Sequence, residues 1–297
     1  VMASTALGGL AAVLVSHSPV AEAWTVGGVD TGLAFVSLVL TALGAWWIRT
    51  KLPAGTLRRV LFLPWLLGGY ALLRHFYEQA SLNIEAVNPA QTGFLGGLGL
   101  PILTSWIAGG VAAAGLAWVV GRIALGLRSD YFAIATLGIS EIIISILKNE
   151  DWLTRGVKNV TGLERPVPYE VDLQQSQWFV DLVIRLHSAD PNQIGEEALQ
   201  EMVMLASGIF VKLCYSGLFL TVLLLILGLA ALALNSPWGR MMRAIRDNEI
   251  AAAAMGKDVT NRHRQVFILG SAVIGVAGAM LTTLDGQFTP GSYIPLR

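Results

Sequence analysis

The chain has 297 residues, of which 54% are hydrophobic and only 13% are charged, whereas an average soluble domain carries roughly 25% charged residues. Twenty basic and twenty acidic residues leave no net charge, so there is no basic excess for a nucleic-acid partner. The single cysteine, Cys214, excludes an internal disulfide. This composition is typical of an integral membrane protein.

Hydropathy predicts six membrane-spanning helices of about 20 mostly apolar residues each. A shorter apolar piece, 2–16, precedes them and fits a truncated first span better than a signal-like segment, because no basic region comes before it. We therefore expect an all-α, polytopic transmembrane helix bundle of about seven spans, forming one domain over 1–297. The six spans are 29–48, 58–77, 100–121, 131–147, 211–234 and 265–284.

Basic residues are concentrated in three alternate connections, 49–59, 122–130 and 235–264. Because Lys and Arg favour cytoplasmic loops, we expect these three connections on the cytoplasmic side. The segment 148–210 would then lie outside. It is predicted to hold an amphipathic helix at 176–187 and a second helix that begins near Gly195.

The chain has no sequence motif for catalysis. It lacks the G-x-x-x-x-G-K-[ST] phosphate loop, the H-E-x-x-H zinc motif, paired cysteines and a G-x-S-x-G elbow. We therefore predict no catalytic residue, no cofactor and no metal site, and we expect a protein that is not an enzyme.

Polar groups within the predicted spans are few. Glu141 lies in the span 131–147, where an ionisable side chain marks either a functional site or a paired interior position. With Thr136 and Ser140 it is a candidate for the polar lining of a translocation path. The alternative is a hydrogen-bonded carboxyl group that fastens two helices together, and the sequence leaves both open.

The last predicted span carries small residues at a spacing of four, namely Ser271, Gly275 and Ala279. Such a face allows two helix backbones to approach closely. We interpret it as a surface for helix packing within the subunit.

The loop 236–264 is basic and rich in alanine. Ser236 and Pro237 are typical of a helix start, and Gly256 can end the helix in a left-handed conformation. We expect one helix between them, with its apolar residues on a single stripe. Either a membrane surface or the groove of a soluble partner would suit that stripe. Its members are Met241, Ala244, Ile245, Ala251, Ala252 and Met255.

Three segments together resemble one known family. The first, 236–256, reads Ser-Pro-x-Gly-Arg-x-x-Arg-Ala-Ile-Arg-Asp-x-Glu-x-Ala-Ala-x-Ala-x-Gly. The second starts at Leu127 and reads Leu-Arg-Ser-Asp-Tyr-Phe-Ala-Ile-Ala-Thr-Leu-Gly-Ile-Ser-Glu-Ile-Ile, and the third is the Leu-Thr-Arg-Gly stretch that begins at Leu153. In this order they resemble the M-type permease subunits of branched-chain amino acid ABC importers, over about residues 90–297. Because family members continue beyond this point, we expect the chain to be truncated at its C-terminus.

The resemblance implies a role for the loop 236–264, which we call the coupling loop. In this family it carries the importer's Glu-Ala-Ala motif and docks on an ATPase subunit. Ala251, Ala252 and Gly256 fit the motif, but Ile250 occupies its Glu position and Glu249 comes one residue earlier. The basic residues Arg243 and Arg246 belong to the same predicted surface.

The resemblance also implies partners and a location. These are a second permease subunit, two cytoplasmic ATPase subunits that hydrolyse ATP, a periplasmic substrate-binding protein and the lipid of the bacterial inner membrane. Segment 148–210 would be a periplasmic loop region. Two alternatives stay open: the same architecture importing urea or short-chain amides, and a stand-alone channel or ion-coupled secondary transporter that uses Glu141.

Overall fold

The computed structural model describes residues 2–16, 21–51, 56–87, 98–127, 129–150, 160–163, 165–186 and 196–289. These residues form eleven α-helices and one pair of two-residue strands, so the all-α prediction is confirmed. The helices are α1 (Met2–Ser16), α2 (Ala21–Lys51), α3 (Thr56–Val87), α4 (Ile102–Ala124), α5 (Ser129–Asn149), α6 (Glu170–Gln175), α7 (Gln177–Leu186), α8 (Glu196–Asn235), α9 (Pro237–Asp247), α10 (Glu249–Ala254) and α11 (Val259–Asp285). The strands are β1 (Val160–Thr161) and β2 (Gln287–Phe288).

Five of the described helices are long and apolar enough to cross a membrane: α2, α4, α5, α8 and α11. Helix α1 is apolar but has only 15 residues. Helix α3, which holds the predicted span 58–77, is not among the five although it has 32 residues. Arg74 and His75 interrupt its apolar sequence. A crossing at 58–77 therefore stays a prediction.

Helices α2 and α3 form an antiparallel hairpin that keeps α3 beside a candidate span. Trp65 Nε1 donates a 3.0 Å hydrogen bond to the carbonyl oxygen of Thr41, and Asn83 Nδ2 donates one of 3.0 Å to Asp30 Oδ2. Ala23 and Ile84 are both fully buried where the ends of the hairpin meet. These contacts join the two helices along most of their length, so we expect them to share one environment.

The chain divides into two compact units. The first comprises 1–164 together with 267–297, and the second comprises 165–266. In the first unit, α1, α4 and the part of α11 after residue 266 cross where glycines meet. A Cβ atom added at Gly275 would lie 2.5 Å from the carbonyl oxygen of Gly109, and one added at Gly109 would lie 2.9 Å from that of Gly8. The backbones are thus in direct contact, and only glycine fits there.

A second cluster closes one end of the first unit. Strand β1 pairs antiparallel with β2, with Val160 opposite Phe288, and both residues are fully buried. Leu10 of α1 and Leu147 of α5 pack in the same apolar cluster. The residues that follow α5 are therefore fastened to those that follow α11.

The second unit contains a 40-residue helix, α8, with two short helices packed against its first part. The predicted amphipathic helix at 176–187 is present as α7, and its buried residues Phe179 and Val183 pack with Val203 and Val211 of α8. The second helix predicted near Gly195 is present, since α8 begins at Glu196 and continues without a break into the predicted span 211–234. Its first turns, rich in the helix formers Glu, Ala, Leu and Met, continue directly into the span.

Most of the third family-like segment, at 153–159, lies outside the described residues.

Candidate functional site

The coupling loop begins with a tight connection between α8 and α9. The predicted cap is present, since the Ser236 hydroxyl oxygen accepts a 3.3 Å hydrogen bond from the Gly239 N–H, and Pro237 opens the helix. A Cβ atom at Gly239 would lie 2.5 Å from the backbone of Leu234. Glycine is therefore required where α9 turns back against the end of α8.

The single helix predicted for 237–256 is wrong, because the chain breaks at Asn248. This residue is extended, with φ −156° and ψ 100°. Its N–H donates a 3.1 Å hydrogen bond to the Ala244 carbonyl, which ends α9. Its Oδ1 accepts a 2.9 Å hydrogen bond from the Ala251 N–H, which starts α10. The hydrogen bond from the Ala251 N–H to the Asn248 side chain thus replaces a continued helix at this point. Gly256 ends the segment with φ +75°, as expected.

The break divides the predicted apolar stripe into two surfaces. Ile245, Ala252 and Val259 form a buried cluster inside the coupling loop, with Met241 packed against them. Ala244, Ala251 and Met255 were predicted on the same stripe but are exposed, and a single stripe is therefore wrong. The reason is the turn at Asn248, which changes the direction of α10 relative to α9.

Two large apolar side chains project outward from α10 and the turn that follows it. Ile250 is 84% exposed and Met255 is 80% exposed. Ile250 occupies the motif's Glu position, and Glu249 beside it is exposed in the first turn of α10. Exposed apolar groups of this kind suit contact with a membrane surface or with another protein.

Side-chain hydrogen bonds join the coupling loop to both helices that flank it, and of the residues involved only Arg243 was selected from the sequence. Trp238 Nε1 donates a 2.9 Å hydrogen bond to Gln265 Oε1, and Arg262 Nη1 donates a second of 2.9 Å to the same oxygen. Arg243 Nη2 donates a 3.2 Å hydrogen bond to the carbonyl oxygen of Leu234, at the end of α8. The signal for this contact in the sequence was a polar residue, Gln265, at the first position of the predicted apolar span 265–284.

The basic residues predicted for the docking surface play different parts. Arg243 makes the contact with α8 just described. Arg246 pairs with its neighbour Asp247 at 3.0 Å, and both side chains are largely exposed. Such an exposed pair contributes little to stability. Arg246 therefore remains available to a partner.

Thr136 and Ser140 lie together on a small pocket of the first unit, with a volume of about 120 Å³ between α1, α4, α5 and α11. Ser4 and Ser271 line the same pocket. The Ala3 N–H donates a 3.3 Å hydrogen bond to Ser140 Oγ, and Ser4 and Ser271 are 7% and 6% exposed. Ser4 could not be found from the sequence, because nothing there indicates that α1 packs on α5.

The structure separates Glu141 from the other two pathway candidates. Glu141 follows Ser140 in the chain, yet it is exposed and does not line the pocket. The small-residue face is divided as well. Ser271 lines the pocket, whereas Gly275 and the fully buried Ala279 lie where α11 crosses α1 and α4.

Comparison with known protein families identifies the family of this chain. The sequence profile of a family described as "Branched-chain amino acid transport system / permease component" matches residues 64–294. The chain belongs to this family. The resemblance seen in the sequence is thereby confirmed, and the protein is a multi-pass membrane protein of a transport permease family.

Three relatives of the permease family show the extent of the similarity. The chain is 24% identical over 226 residues to the "High-affinity branched-chain amino acid transport system permease protein LivM" of Salmonella typhimurium and to that of Escherichia coli. This covers 75% of the chain and 45% of each relative. The "Probable branched-chain amino acid transport permease protein LivM" of Methanocaldococcus jannaschii is 24% identical over 231 residues, which is 76% of the chain and 53% of the relative. The chain spans about half the length of these relatives, and no solved structure matches it.

Proposed function

We propose that the chain is a permease subunit of an ABC importer that carries branched-chain amino acids across the bacterial inner membrane. ATP would be hydrolysed on two separate cytoplasmic ATPase subunits, and a periplasmic binding protein would deliver the substrate. A second permease subunit would complete the membrane part. Membership of the permease family supports this assignment.

The single observation that carries the proposal is the construction of the coupling loop. A flexible connection between two spans could not transmit force, whereas this one has two capped helices, a buried cluster and hydrogen bonds to both flanking helices. Gln265 receives donors from Trp238 and Arg262, and Arg243 reaches the end of α8. A partner that moves α9 and α10 would therefore move α8 and the start of α11 with them.

The outward surface of the same loop supports docking on an ATPase. Ile250 and Met255 project from α10 and its C-terminal turn, and Arg246 and Glu249 are exposed nearby in sequence. An apolar centre with charged neighbours resembles the composition of protein interfaces. ATP-driven closure of the ATPases would stabilise one of two arrangements of the docked loops, and hence one of two states of the spans.

We also propose that Thr136 and Ser140 contribute to the substrate path through the pocket that they share with Ser4 and Ser271. The four hydroxyl groups can exchange hydrogen bonds with a polar solute. Apolar side chains such as Ile139 and Phe267 form the remaining walls. This combination suits a small molecule with both polar and aliphatic parts.

Reconstitution tests the function directly. The full chain would be co-expressed with the ATPases, second permease and binding protein of the importer, and the complex placed in liposomes. We expect labelled leucine to accumulate only with internal ATP and external binding protein, and a Walker A Lys→Ala variant of the ATPases serves as the control. Uptake that persists without ATPases, or that follows a proton gradient and disappears in Glu141→Gln, would establish the secondary-transporter alternative. Transport of urea but not leucine would establish the amide alternative.

A further inference from the structure

Helix α5 has two different faces. The face toward the rest of the first unit carries Thr136, Ser140, Ile144 and Leu147, and the last two are 1% and 3% exposed. The other face is open, with Ile134 68% exposed. The side chains of Leu137, Glu141, Ile142 and Ser145 share this open face, and we call it the Glu141 face.

Glu141 lies at the middle of a candidate membrane span. The span covers Tyr131–Asn149, so Glu141 is one residue, or about 1.5 Å, from its midpoint. Half of a hydrocarbon core is about 15 Å thick, and only the longer Lys and Arg side chains can extend toward the membrane surface over such distances. Within the described part of the chain, the Glu141 carboxylate makes no hydrogen bond and no ion pair.

A charge at the centre of the bilayer is strongly unfavourable in contact with lipid, so such residues face protein or water. Helix α4 provides a comparison within the same unit. The large exposed side chains along the middle of that helix are aliphatic or aromatic, including Ile107, Val111 and Trp118. That surface suits lipid. The Glu141 face instead combines a carboxylate with Ser145 and with Gly138, where an added Cβ would meet nothing within 4 Å.

We propose that the Glu141 face is the contact surface for a second, non-identical membrane-spanning chain that presents a basic or hydrogen-bond-donating side chain to the carboxylate. The proposal rests on the proposed function in one respect only, namely that an importer contains a second permease subunit. Gly138, one turn before Glu141, leaves room for the partner's helix to approach.

The charge disfavours a second copy of this chain as the partner. In a symmetric dimer the same surface is used twice, so the two carboxylates would be brought toward each other. Like charges at close range oppose association. Between Tyr131 and Ser145 the sequence contains no Lys or Arg that could compensate. A donor for the carboxylate must therefore come from outside this span.

Photo-crosslinking at two matched positions tests the surface. Ile134 on α5 and Ile107 on α4 are both 68% exposed, and each would be replaced by p-benzoylphenylalanine in the full complex. We expect residue 134 to capture the second permease and residue 107 to capture lipid. Capture at residue 134 of lipid, of a second copy, of another helix of this chain or of nothing would overturn the proposal.

Substitution of Glu141 gives an independent readout. We expect Glu141→Leu to reduce the amount of second permease that co-purifies at least tenfold, Glu141→Gln to retain most of it, and the neighbouring control Ile142→Leu to have no effect. If Glu141 instead faces lipid, Glu141→Leu will raise the yield of inserted chain and leave capture of the partner unchanged. If the complex transports leucine but residue 134 captures only lipid, the proposed interface is wrong and the proposed function is unaffected. If no second permease co-purifies with the wild-type chain, both fail.

Discussion

The indole Nε1 of Trp238 and the side-chain oxygen of Gln265 are joined by a 2.9 Å hydrogen bond that links residues 27 positions apart. Trp238 lies in the first turn of α9 and Gln265 in the second turn of α11. The bond therefore closes the coupling loop across its full length. Arg262 donates to the same oxygen and holds the amide in place.

Removing this donor should weaken the coupling of ATP hydrolysis to transport. Trp238→Phe keeps an aromatic ring but leaves Gln265 with one donor fewer, a change of about 1 kcal/mol. We expect the complex to assemble normally and to transport several-fold less substrate for each ATP hydrolysed. Uptake and phosphate release would be measured in the same liposomes. Trp46→Phe, on the exposed side of α2, is the control. If Trp238→Phe leaves the ratio of substrate transported to ATP hydrolysed unchanged, the hydrogen bond does not contribute to coupling.

The Asn248 cap should determine whether α10 forms. Asn248→Ala removes the acceptor for the Ala251 N–H, a loss typically of about 1 kcal/mol at a helix N-cap. We expect faster hydrogen exchange of the amides of α10 and unchanged exchange in α8. Asn248→Ser should restore most of the protection, because a hydroxyl group caps as well. Equal exchange in Asn248→Ala and wild type would mean that the cap is not what holds α10.

Two adjacent alanines should respond differently to the same substitution. Ala251 is exposed, whereas Ala252 is 8% exposed against Ile245 and Val259. Ala251→Arg should leave the coupling loop folded and reduce ATPase co-purification. Ala252→Arg should disrupt the buried cluster itself, which would appear as rapid exchange throughout α10. Normal ATPase capture by Ala251→Arg would place the docking surface elsewhere.

The glycine crossing in the first unit should tolerate no added methyl group. Gly275→Ala would force α11 away from Gly109, and overpacking of this kind costs roughly 1–3 kcal/mol. Gly270 lies on the same helix with no atom within 4 Å of an added Cβ. Gly270→Ala should therefore leave stability unchanged or raise it by up to about 1 kcal/mol. Thermal unfolding in detergent would compare the two, and equal Tm values would contradict the contact.

The helices were predictable from the sequence because long apolar runs are determined by local composition. Their exact ends were not, as α8 shows: a helix beginning near Gly195 and a span at 211–234 were predicted separately, whereas the structure has one continuous helix from Glu196 to Asn235. The break at Asn248 is the opposite case. Its neighbours favour helix, and only the competition from one side chain divides the segment.

The candidate polar residues show a similar limit. Thr136 and Ser140 could be chosen from the sequence, since hydroxyl groups are uncommon in an apolar span. The orientation of Glu141 could not, because helical periodicity orders the faces of α5 without indicating which one meets α1. Ser4 lies more than 130 residues from Ser140 in the chain, and only the packing of α1 brings them to one pocket.

The length of α8 has a mechanical consequence. Forty residues extend about 60 Å, roughly twice the thickness of the hydrocarbon core. Helices α6 and α7 are packed on one end of this rod, and the coupling loop is attached to the other. A rotation of 5° about the centre would displace each end by about 2.6 Å, in opposite directions. Spin labels at Leu199 and Arg240, each paired with a label in a detergent-immobilised span, would detect such opposed shifts on ATP binding. One stiff helix could in this way transmit a movement from one end of α8 to the other without a series of intervening side-chain changes.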